Sequence, residues 1–395
     1  MQYEFDVAVD RRNCGNTKYA GALEKLKNIG GLSYTGAEMD YRTAPIITGN
    51  LERFCKNGLF GNTAADDTYL TRVILWMERV RNWSIQKEWI VPTYGTVNAV
   101  NLTVQAFTNE GDGVIVQSPC FGSHRKVIIN NKRELLINHL IYSNGKYSID
   151  FENLEMLMKN PKAKLFILCN PHNPTTKIFG VEELTKISKL AKANDVLVIS
   201  DEIFAELTFT QKKCIPYAKI DYAMDNCIIC TSIGKTFNFV GTNHANIIIP
   251  NEELRSTFIK QRDKNYYGSM SPFMYKSVVA AYTEDGKHWV DELLEYVAEN
   301  VRLFSSFIEK NMPDVKVAEH EAGCLIWVDW NGLRLNDTEL KKFLKEEALL
   351  DVAYGEGYGE EWRGFTRIAI GVPHEDLKNA LDRLYIAGKN RGFIK

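Results

Sequence analysis

The sequence predicts an α/β protein that has a mostly parallel central sheet and a second, smaller α+β domain. Short apolar runs alternate with amphipathic helical stretches through the middle of the chain, a pattern typical of parallel strands that are buried on both faces. A long amphipathic pattern follows these runs, and two more strand-like runs lie beyond it. The 395 residues also exceed the roughly 250–300 at which a single core stops growing, which favours two domains.

The central sheet is predicted from five apolar runs, namely GVIVQ, KLFILCN, DVLVISD, NCIICTS and ANIIIP. Between residues 287 and 310, apolar side chains recur every three or four positions, which predicts one long helix. GCLIWVDW and FTRIAIGV are typical of strands and are assigned to the smaller domain. We therefore expect a large domain over residues 49–284, a small domain over residues 285–395, and an N-terminal segment, residues 1–48, that joins the small domain.

Composition and charge restrict the class of ligand. The formal net charge of −2 gives no electrostatic reason to expect nucleic acid or an anionic membrane as a partner. The stretch MQYEFDVAVDRRN carries charges where a signal peptide would have its apolar core, and no window approaches the roughly 18 apolar residues of a membrane span. We therefore expect a cytoplasmic protein that binds a small molecule.

The eight cysteines are scattered, and most lie in apolar surroundings, where a reduced cysteine behaves as a small hydrophobic residue. Cys227 and Cys230 form one C-x-x-C pair, but the two isoleucines between them favour core packing over redox or metal chemistry. With seven histidines and no second cysteine pair at ligand spacing, no metal site is expected.

Three of the predicted strands are followed by polar side chains of different chemistry. KLFILC is followed by a turn that contains Asn173, DVLVIS ends at Asp201, and NCIICTS ends just before Lys235. In open α/β sheets, functional groups collect at the carboxyl ends of the strands. An amide, a carboxylate and an amine are therefore expected at one site.

A phosphate site is predicted in VPTYGTVNAVNLTVQAF, where a turn precedes a helical pattern, so that the amides of Gly95, Thr96 and Val97 would form a helix N-terminus. Pyridoxal 5′-phosphate (PLP) needs these groups: an amine that forms an imine with its aldehyde, a carboxylate at its ring nitrogen, a donor at its ring oxygen and a dipole at its phosphate. Each residue also has a structural alternative, since Asp201 would cap a turn and Asn173 belongs to common turn chemistry. Their combination favours the cofactor.

The chain resembles fold-type I PLP enzymes, and within the class I/II aminotransferase superfamily it is similar to the MalY/PatB group of cystathionine β-lyases and C–S lyases. The resemblance extends in family order over nearly the whole chain. The segments that carry it are KNGLFGNT, WMERVRNWSIQKEWIV, QAFTNEGDGVIVQSPCF, NPHNP, SDEI, SIGKTFN and GFTRIAIGVP. It implies a homodimer whose active sites lie at the subunit boundary.

Site residues follow from the same resemblance, position by position. It implies that Lys235 forms the imine, that Asp201 partners the ring nitrogen, and that Arg367 binds the substrate carboxylate, for which a bidentate guanidinium is suited. Tyr19 is expected to border the substrate pocket. The remaining residues assigned to cofactor binding are Asn173 (also near the substrate), Gly95, Thr96, Ser232, Phe121 and Phe204.

The resemblance favours C–S β-lyase activity on cystathionine or a related cysteine S-conjugate, with thiol, pyruvate and ammonia as products. The same residues also serve an aminotransferase of an L-amino acid, so this alternative stays open. A PLP-binding regulatory protein with weak activity is a further alternative. Asn62 and Phe121 stand where the family has tyrosine, and Phe204 stands where the family has histidine, so polar groups of the family's site are lost or changed. The apolar residues near the site favour a thioether or apolar side chain over a second carboxylate.

Overall fold

The computed structural model describes residues 2–7, 9–11, 14–209 and 212–394. Its central strands are β1 (Ile90–Thr93), β2 (Gly113–Ser118), β3 (Glu134–Ser143), β4 (Lys146–Ile149), β5 (Ala163–Cys169), β6 (Leu197–Asp201), β7 (Cys227–Thr231) and β8 (Ala245–Ile248). Within the described residues these eight strands form one sheet in the order β1-β8-β7-β6-β5-β2-β3-β4.

Five neighbouring strands, from β3 through β2, β5 and β6 to β7, run parallel. The outer strands β1, β4 and β8 pair antiparallel with their neighbours. The mostly parallel sheet is thus confirmed, and each of the five predicted runs is a strand. β1, β3 and β4 were not predicted. In β3, which lies between β2 and the edge strand β4, exposed and buried residues are mixed, so its sequence lacks a continuous apolar run.

Thirteen α-helices lie in the described residues, and several of them pack on the two faces of this sheet. They are α1 (Glu24–Asn28), α2 (Pro45–Asn57), α3 (Asp67–Arg81), α4 (Thr96–Phe107), α5 (Gly122–Asn130), α6 (Phe151–Met158), α7 (Val181–Ala193), α8 (Ile233–Thr236), α9 (Glu252–Lys264), α10 (Pro272–Ala281), α11 (Glu284–Asn311), α12 (Asp337–Lys341) and α13 (His374–Asn390). The long helix predicted over residues 287–310 is confirmed as α11. Although α11 has 28 residues, it carries many charged side chains, and none of the helices in the described ranges qualifies as a membrane span.

The two faces of the sheet contribute to two apolar clusters because side chains alternate along a strand. Leu165 and Ile167 of β5 belong to the cluster that includes residues of α4, α5 and α9. Phe166 and Leu168 belong to the larger cluster, which includes residues of α3, α7, α10 and α11. Burial on both faces explains why β5, β6 and β7 are continuous apolar runs in the sequence.

A second, antiparallel sheet lies in the C-terminal part of the chain. Its strands are β9 (Lys316–Val317), β10 (Leu325–Asp329), β11 (Ala353–Tyr354) and β12 (Phe365–Ala369), in the order β11-β12-β10-β9. The two strands predicted from GCLIWVDW and FTRIAIGV are confirmed as β10 and β12. The N-terminal segment approaches this sheet, since the Ala369 amide donates to the Tyr34 carbonyl at 3.0 Å. The domain boundaries at residues 48 and 284 stay predictions.

Candidate active site

The predicted amide, carboxylate and amine follow three adjacent parallel strands. In the sheet register, Cys169 at the end of β5 pairs with Asp201 at the end of β6, and Asp201 pairs with Cys230 near the end of β7. The turn after β5 contains Asn173, and the helix after β7 contains Lys235. The strand order therefore brings the three side chains to one edge of the sheet, because the carboxyl ends of parallel strands meet there.

A cavity of about 390 Å³ opens at this edge. Its size lies in the range of small-molecule and cofactor sites. All eight residues predicted to bind the cofactor line it, namely Lys235, Asp201, Asn173, Gly95, Thr96, Phe121, Ser232 and Phe204. Val97, whose amide was expected at the helix start, also lines the cavity. Sequence reasoning did not assign the other lining residues to the site, namely Ala37, Tyr94, Asn98, Cys169, Ile203, Gly234, Val240, Asn243 and His244.

Lys235 extends from α8, a short helix that begins after Ser232. Its Nζ donates a hydrogen bond to the carbonyl of Ala37 at 2.8 Å and lies 5.9 Å from the centre of the Phe204 ring. Burial lowers the pKa of the Lys235 amine from 10.5 to about 8, because the charged form loses hydration in the protein interior. The amine is therefore partly neutral, and so nucleophilic and basic, near neutral pH.

Asp201 presents a carboxylate that is only 4% exposed. Its Oδ1 accepts a hydrogen bond from the Ile203 amide at 3.3 Å, and its Oδ2 lies 3.2 Å from Nε2 of His124. A buried carboxylate needs such partners, since an unpaired buried charge is costly. His124 was missed by sequence reasoning. The available signal was a histidine in the helix that follows β2, a strand that neighbours β5 in the sheet.

Gly95 precedes α4 with φ +82°, a conformation that favours glycine, and α4 then begins at Thr96. The amides at this helix start are suited to an anionic group. The Ser232 hydroxyl, on another wall of the cavity, donates to the His244 carbonyl at 2.6 Å and accepts from the Gly234 amide at 3.0 Å. Burial lowers the pKa of His244 to about 3, so this imidazole is neutral at pH 7.

Arg367 lies on β12 and reaches the same region from the second sheet. Its Nη1 donates to Oδ1 of Asn173 at 3.2 Å, and its Nη2 donates to the carbonyl of Thr35 at 2.9 Å. The guanidinium carbon also lies 5.3 Å from the centre of the Tyr358 ring. Its Nε is buried and has no hydrogen-bond partner among the described residues, so one donor is left for an acceptor that is not part of the chain.

Tyr19 is not brought to this cavity. It is buried in a 3₁₀ turn, Thr17–Tyr19, and borders a separate surface depression with Asp10, Asn16 and Glu24. Burial raises the pKa of its hydroxyl above the ordinary value of 10, so the group is a neutral phenol. A contact between Tyr19 and the substrate therefore stays a prediction. Asn62 lies in an exposed loop.

The residues present fit PLP. An amine of lowered pKa, a buried carboxylate and the start of helix α4 line a cavity of cofactor size. With Oδ1 of Asn173 accepting from Arg367, its amide nitrogen is the atom left to donate to a ring oxygen. The aromatic side chains of Phe121 and Phe204 supply apolar walls.

Comparisons with known proteins agree with this fit. Cystalysin from Treponema denticola, whose crystal structure contains PLP, shares the fold with a TM-score of 0.94 and 30% sequence identity, over 99% of this chain and all of cystalysin. The fold is that of fold-type I PLP-dependent enzymes. Residues 44–384 match the family model for aminotransferases of class I and II, and the chain belongs to this family.

Two curated relatives are similar over almost their full lengths. Cystathionine β-lyase PatB of Bacillus subtilis is 33% identical over 97% of this chain and 99% of PatB. Protein MalY of Escherichia coli is 26% identical over 96% of this chain and 97% of MalY. The resemblance inferred from the sequence segments is confirmed.

Proposed function

We propose that this protein is a PLP-dependent C–S β-lyase, which cleaves cystathionine or a related cysteine S-conjugate into a thiol, pyruvate and ammonia. The observation that carries the proposal is the 33% identity to cystathionine β-lyase PatB over 97% of this chain. The arrangement of Lys235 and Asp201 at adjacent strand ends supports it, because β-elimination needs a base near the substrate Cα and an anion that stabilises a protonated cofactor ring.

The cofactor would be held by residues on three walls of the cavity. Lys235 would bind the aldehyde carbon and Asp201 the ring nitrogen, while Asn173 would donate to the ring oxygen. When bound, PLP supplies an electron sink for the electrons of the broken Cα–H bond. The phosphate and the ring faces are assigned to Gly95, Thr96, Ser232, Phe121 and Phe204.

Lys235 is the base of the proposed reaction. With a pKa of about 8, about one amine in ten is neutral at pH 7, compared with about one in three thousand at the ordinary value of 10.5. The neutral Nζ takes the Cα proton, and the C–S bond then breaks, so that the sulfur leaves as a thiolate. Addition of one water completes the balance of pyruvate, ammonia and thiol.

Arg367 orients the substrate through its carboxylate. The guanidinium is held by Asn173 and Thr35, and its unpartnered Nε keeps a buried donor available. A charge-assisted hydrogen bond to a carboxylate would satisfy this donor. Among the described residues that line the cavity, Lys235 and Asp201 are the only Lys, Arg, Asp or Glu residues, and Arg367 contacts the lining through Asn173.

The activity is tested by incubating purified protein and PLP with cystathionine, cystine and S-alkyl cysteines. Pyruvate and thiol are expected without any added keto acid. Turnover that requires a keto acid would indicate an aminotransferase instead of a lyase. A bound cofactor without turnover would favour the regulatory alternative.

Lys235→Ala tests the assignment of the amine, and Lys132→Ala, at a lysine whose side chain is 73% exposed, is the matched control. Borohydride reduction followed by peptide mapping is expected to label Lys235 in the wild type and in the control, but not in Lys235→Ala. Label on another lysine of the wild type would contradict the assignment.

We also propose that the protein is a homodimer. Exposed apolar side chains support this proposal: Leu59 is 78% exposed, and the half-exposed ring of Phe60, the next residue, stacks at 5.5 Å on the ring of Phe273, which is 38% exposed. Tyr266 is 93% exposed, and its neighbour in sequence, Tyr267, packs at 5.5 Å from Tyr94, which lines the cavity. Exposed aromatic clusters of this kind are typical of protein–protein interfaces, and a second copy of the chain placed here would border the site.

Sedimentation or light scattering tests the dimer. The wild type is expected at twice the mass of one chain, and Phe60→Asp is expected to shift it toward the monomer because a charge would be buried in the interface. Ile386→Asp is the control, at a residue of α13 that is 59% exposed. A wild-type monomer, or equal effects of both substitutions, would contradict the proposed interface.

A cytoplasmic location is proposed on the basis of the cysteines. All eight are free thiols, and six of them are buried, as is typical of proteins in a reducing compartment.

A further inference from the structure

Asn238 lies three residues after Lys235 and binds a distant segment of the chain. Its Oδ1 accepts from the Met39 amide at 3.0 Å, and its Nδ2 donates to the carbonyls of Met39 and Tyr41, both at 2.9 Å. The residue adopts φ +53°, a left-handed conformation that asparagine tolerates better than most residues. One amide side chain thus makes three hydrogen bonds to the backbone of residues 39–41.

The acceptors of both cations in the site lie just before the residues that Asn238 binds. The Ala37 carbonyl accepts from Nζ of Lys235 at 2.8 Å, and the Thr35 carbonyl accepts from Nη2 of Arg367 at 2.9 Å. Residues 35–41 therefore help to hold the amine and, together with Asn173, the guanidinium.

Asn238 and Lys235 belong to one compact turn. The Asn238 amide approaches the Lys235 carbonyl at 3.4 Å, and the Phe239 amide donates to the Gly234 carbonyl at 2.8 Å. The backbone fixes the spacing between the two side chains. The hydrogen bonds of Asn238 therefore set the distance between Lys235 and the segment that contains its acceptor, the Ala37 carbonyl.

We propose that Asn238 is a positioning residue, which fixes residues 35–41 so that the Ala37 and Thr35 carbonyls hold the reactive amine and the carboxylate-binding guanidinium. The inference rests on the proposed function for its effect on turnover. Its effect on the lysine itself does not depend on which reaction the enzyme catalyses.

The titration of Lys235 gives a readout that a purely structural role would not change. The charged and titratable groups around its amine are Cys324, Arg367, Glu38 and Asp201. Substitution of Asn238 leaves all of them in the chain. A displaced Ala37 carbonyl would no longer accept from the ammonium, and since that hydrogen bond favours the charged form, its loss lowers the amine pKa.

The experiment compares Asn238→Gly with Asn144→Gly. Glycine keeps the left-handed backbone at position 238 and removes only the side-chain amide. Asn144 is the matched control, because it has φ +46° in an exposed turn between β3 and β4. Asn238→Asp is a second variant, which keeps the size and an acceptor for the Met39 amide but loses both donors.

In the holoenzyme, Asn238→Gly is expected to lower kcat by about tenfold or more, since displacements near 1 Å at a reacting centre cost on the order of 100-fold. KM is expected to change less than kcat. In the cofactor-free protein, Lys235 is labelled with trinitrobenzenesulfonate across a pH series and quantified by peptide mass spectrometry. The pH of half-maximal labelling is expected to fall by about half a unit, equivalent to about a threefold change in the acid dissociation constant. Asn144→Gly should match the wild type in both assays.

The proposal is overturned if Asn238→Gly loses thermal stability but keeps wild-type kcat and the wild-type labelling profile of Lys235. If this variant does not fold, Asn238→Asp decides by the same two measurements. If the wild type shows no C–S lyase activity, the proposed function fails, but the labelling comparison still tests the role of Asn238.

Discussion

Replacing Lys235 by methionine is expected to stabilise the cofactor-free protein at neutral pH. Burial lowers the pKa of this amine from 10.5 to about 8, and each pKa unit corresponds to about 1.4 kcal/mol. Protonation of the buried amine therefore costs the folded state up to about 3 kcal/mol. Methionine is similar in length and uncharged, so it removes this cost. Loss of the hydrogen bond to Ala37 offsets about 1 kcal/mol, which leaves a net gain of about 2 kcal/mol.

The sign of the pH dependence follows from the lowered pKa. Between pH 8 and 10.5, the unfolded chain holds the Lys235 proton more tightly than the folded protein does. The stability of the wild type therefore rises with pH in this window. The advantage of Lys235→Met is complete below pH 8, and it should nearly vanish by about pH 10.

Urea unfolding of the cofactor-free proteins, followed by tryptophan fluorescence at pH 7 and pH 10, measures this effect. Lys132→Met is the control, because the Lys132 side chain is exposed and its removal should change stability little. The reasoning is refuted if Lys235→Met is no more stable than the wild type at pH 7, or if its advantage does not decrease at the higher pH.

Three further substitutions test the site and its support. Arg367→Lys should raise KM for amino-acid substrates about tenfold in steady-state assays, because an ammonium does not reproduce the guanidinium geometry. His124→Phe should lower kcat/KM about tenfold, since it leaves an oxygen of the buried Asp201 carboxylate without its partner. Arg81→Met should lower the free energy of unfolding by about 3 kcal/mol in urea titrations. The Arg81 side chain is only 2% exposed, and its removal leaves the buried Glu202 carboxylate without its ion-pair partner.

For each of these substitutions, one outcome would contradict the expected effect. Unchanged KM in Arg367→Lys would mean that another cation binds the carboxylate. Unchanged kcat/KM in His124→Phe would mean that the Ile203 amide suffices for Asp201. For Arg81→Met, the control is Arg79→Met, whose partner Glu284 is on the surface. Equal losses in the two arginine variants would contradict the importance of burial.

Local sequence patterns were sufficient to predict the strands that position the site residues. β5, β6 and β7 are buried on both faces, so each is a continuous apolar run that ends at a polar residue. The edge strands β1 and β4 and the strand β3 next to β4 lack that pattern. The pairing of β1 with β8 joins segments more than 150 residues apart, whereas β3 and β4 pair as a hairpin. Tyr19 shows what the resemblance did not predict for the site. The resemblance led us to expect Tyr19 beside the substrate pocket, but Tyr19 does not line the cavity of its own chain.

The sequence by itself determined the α/β class, the parallel core strands and the order in which Asn173, Asp201 and Lys235 follow them. These features are encoded locally, in apolar runs and in the residues that end them. Only the tertiary structure decided that His124 lies against Asp201 and that the Ala37 carbonyl receives the Lys235 amine. Those pairs are separated by 77 and 198 residues, and no local preference specifies a contact that forms only when the chain has folded.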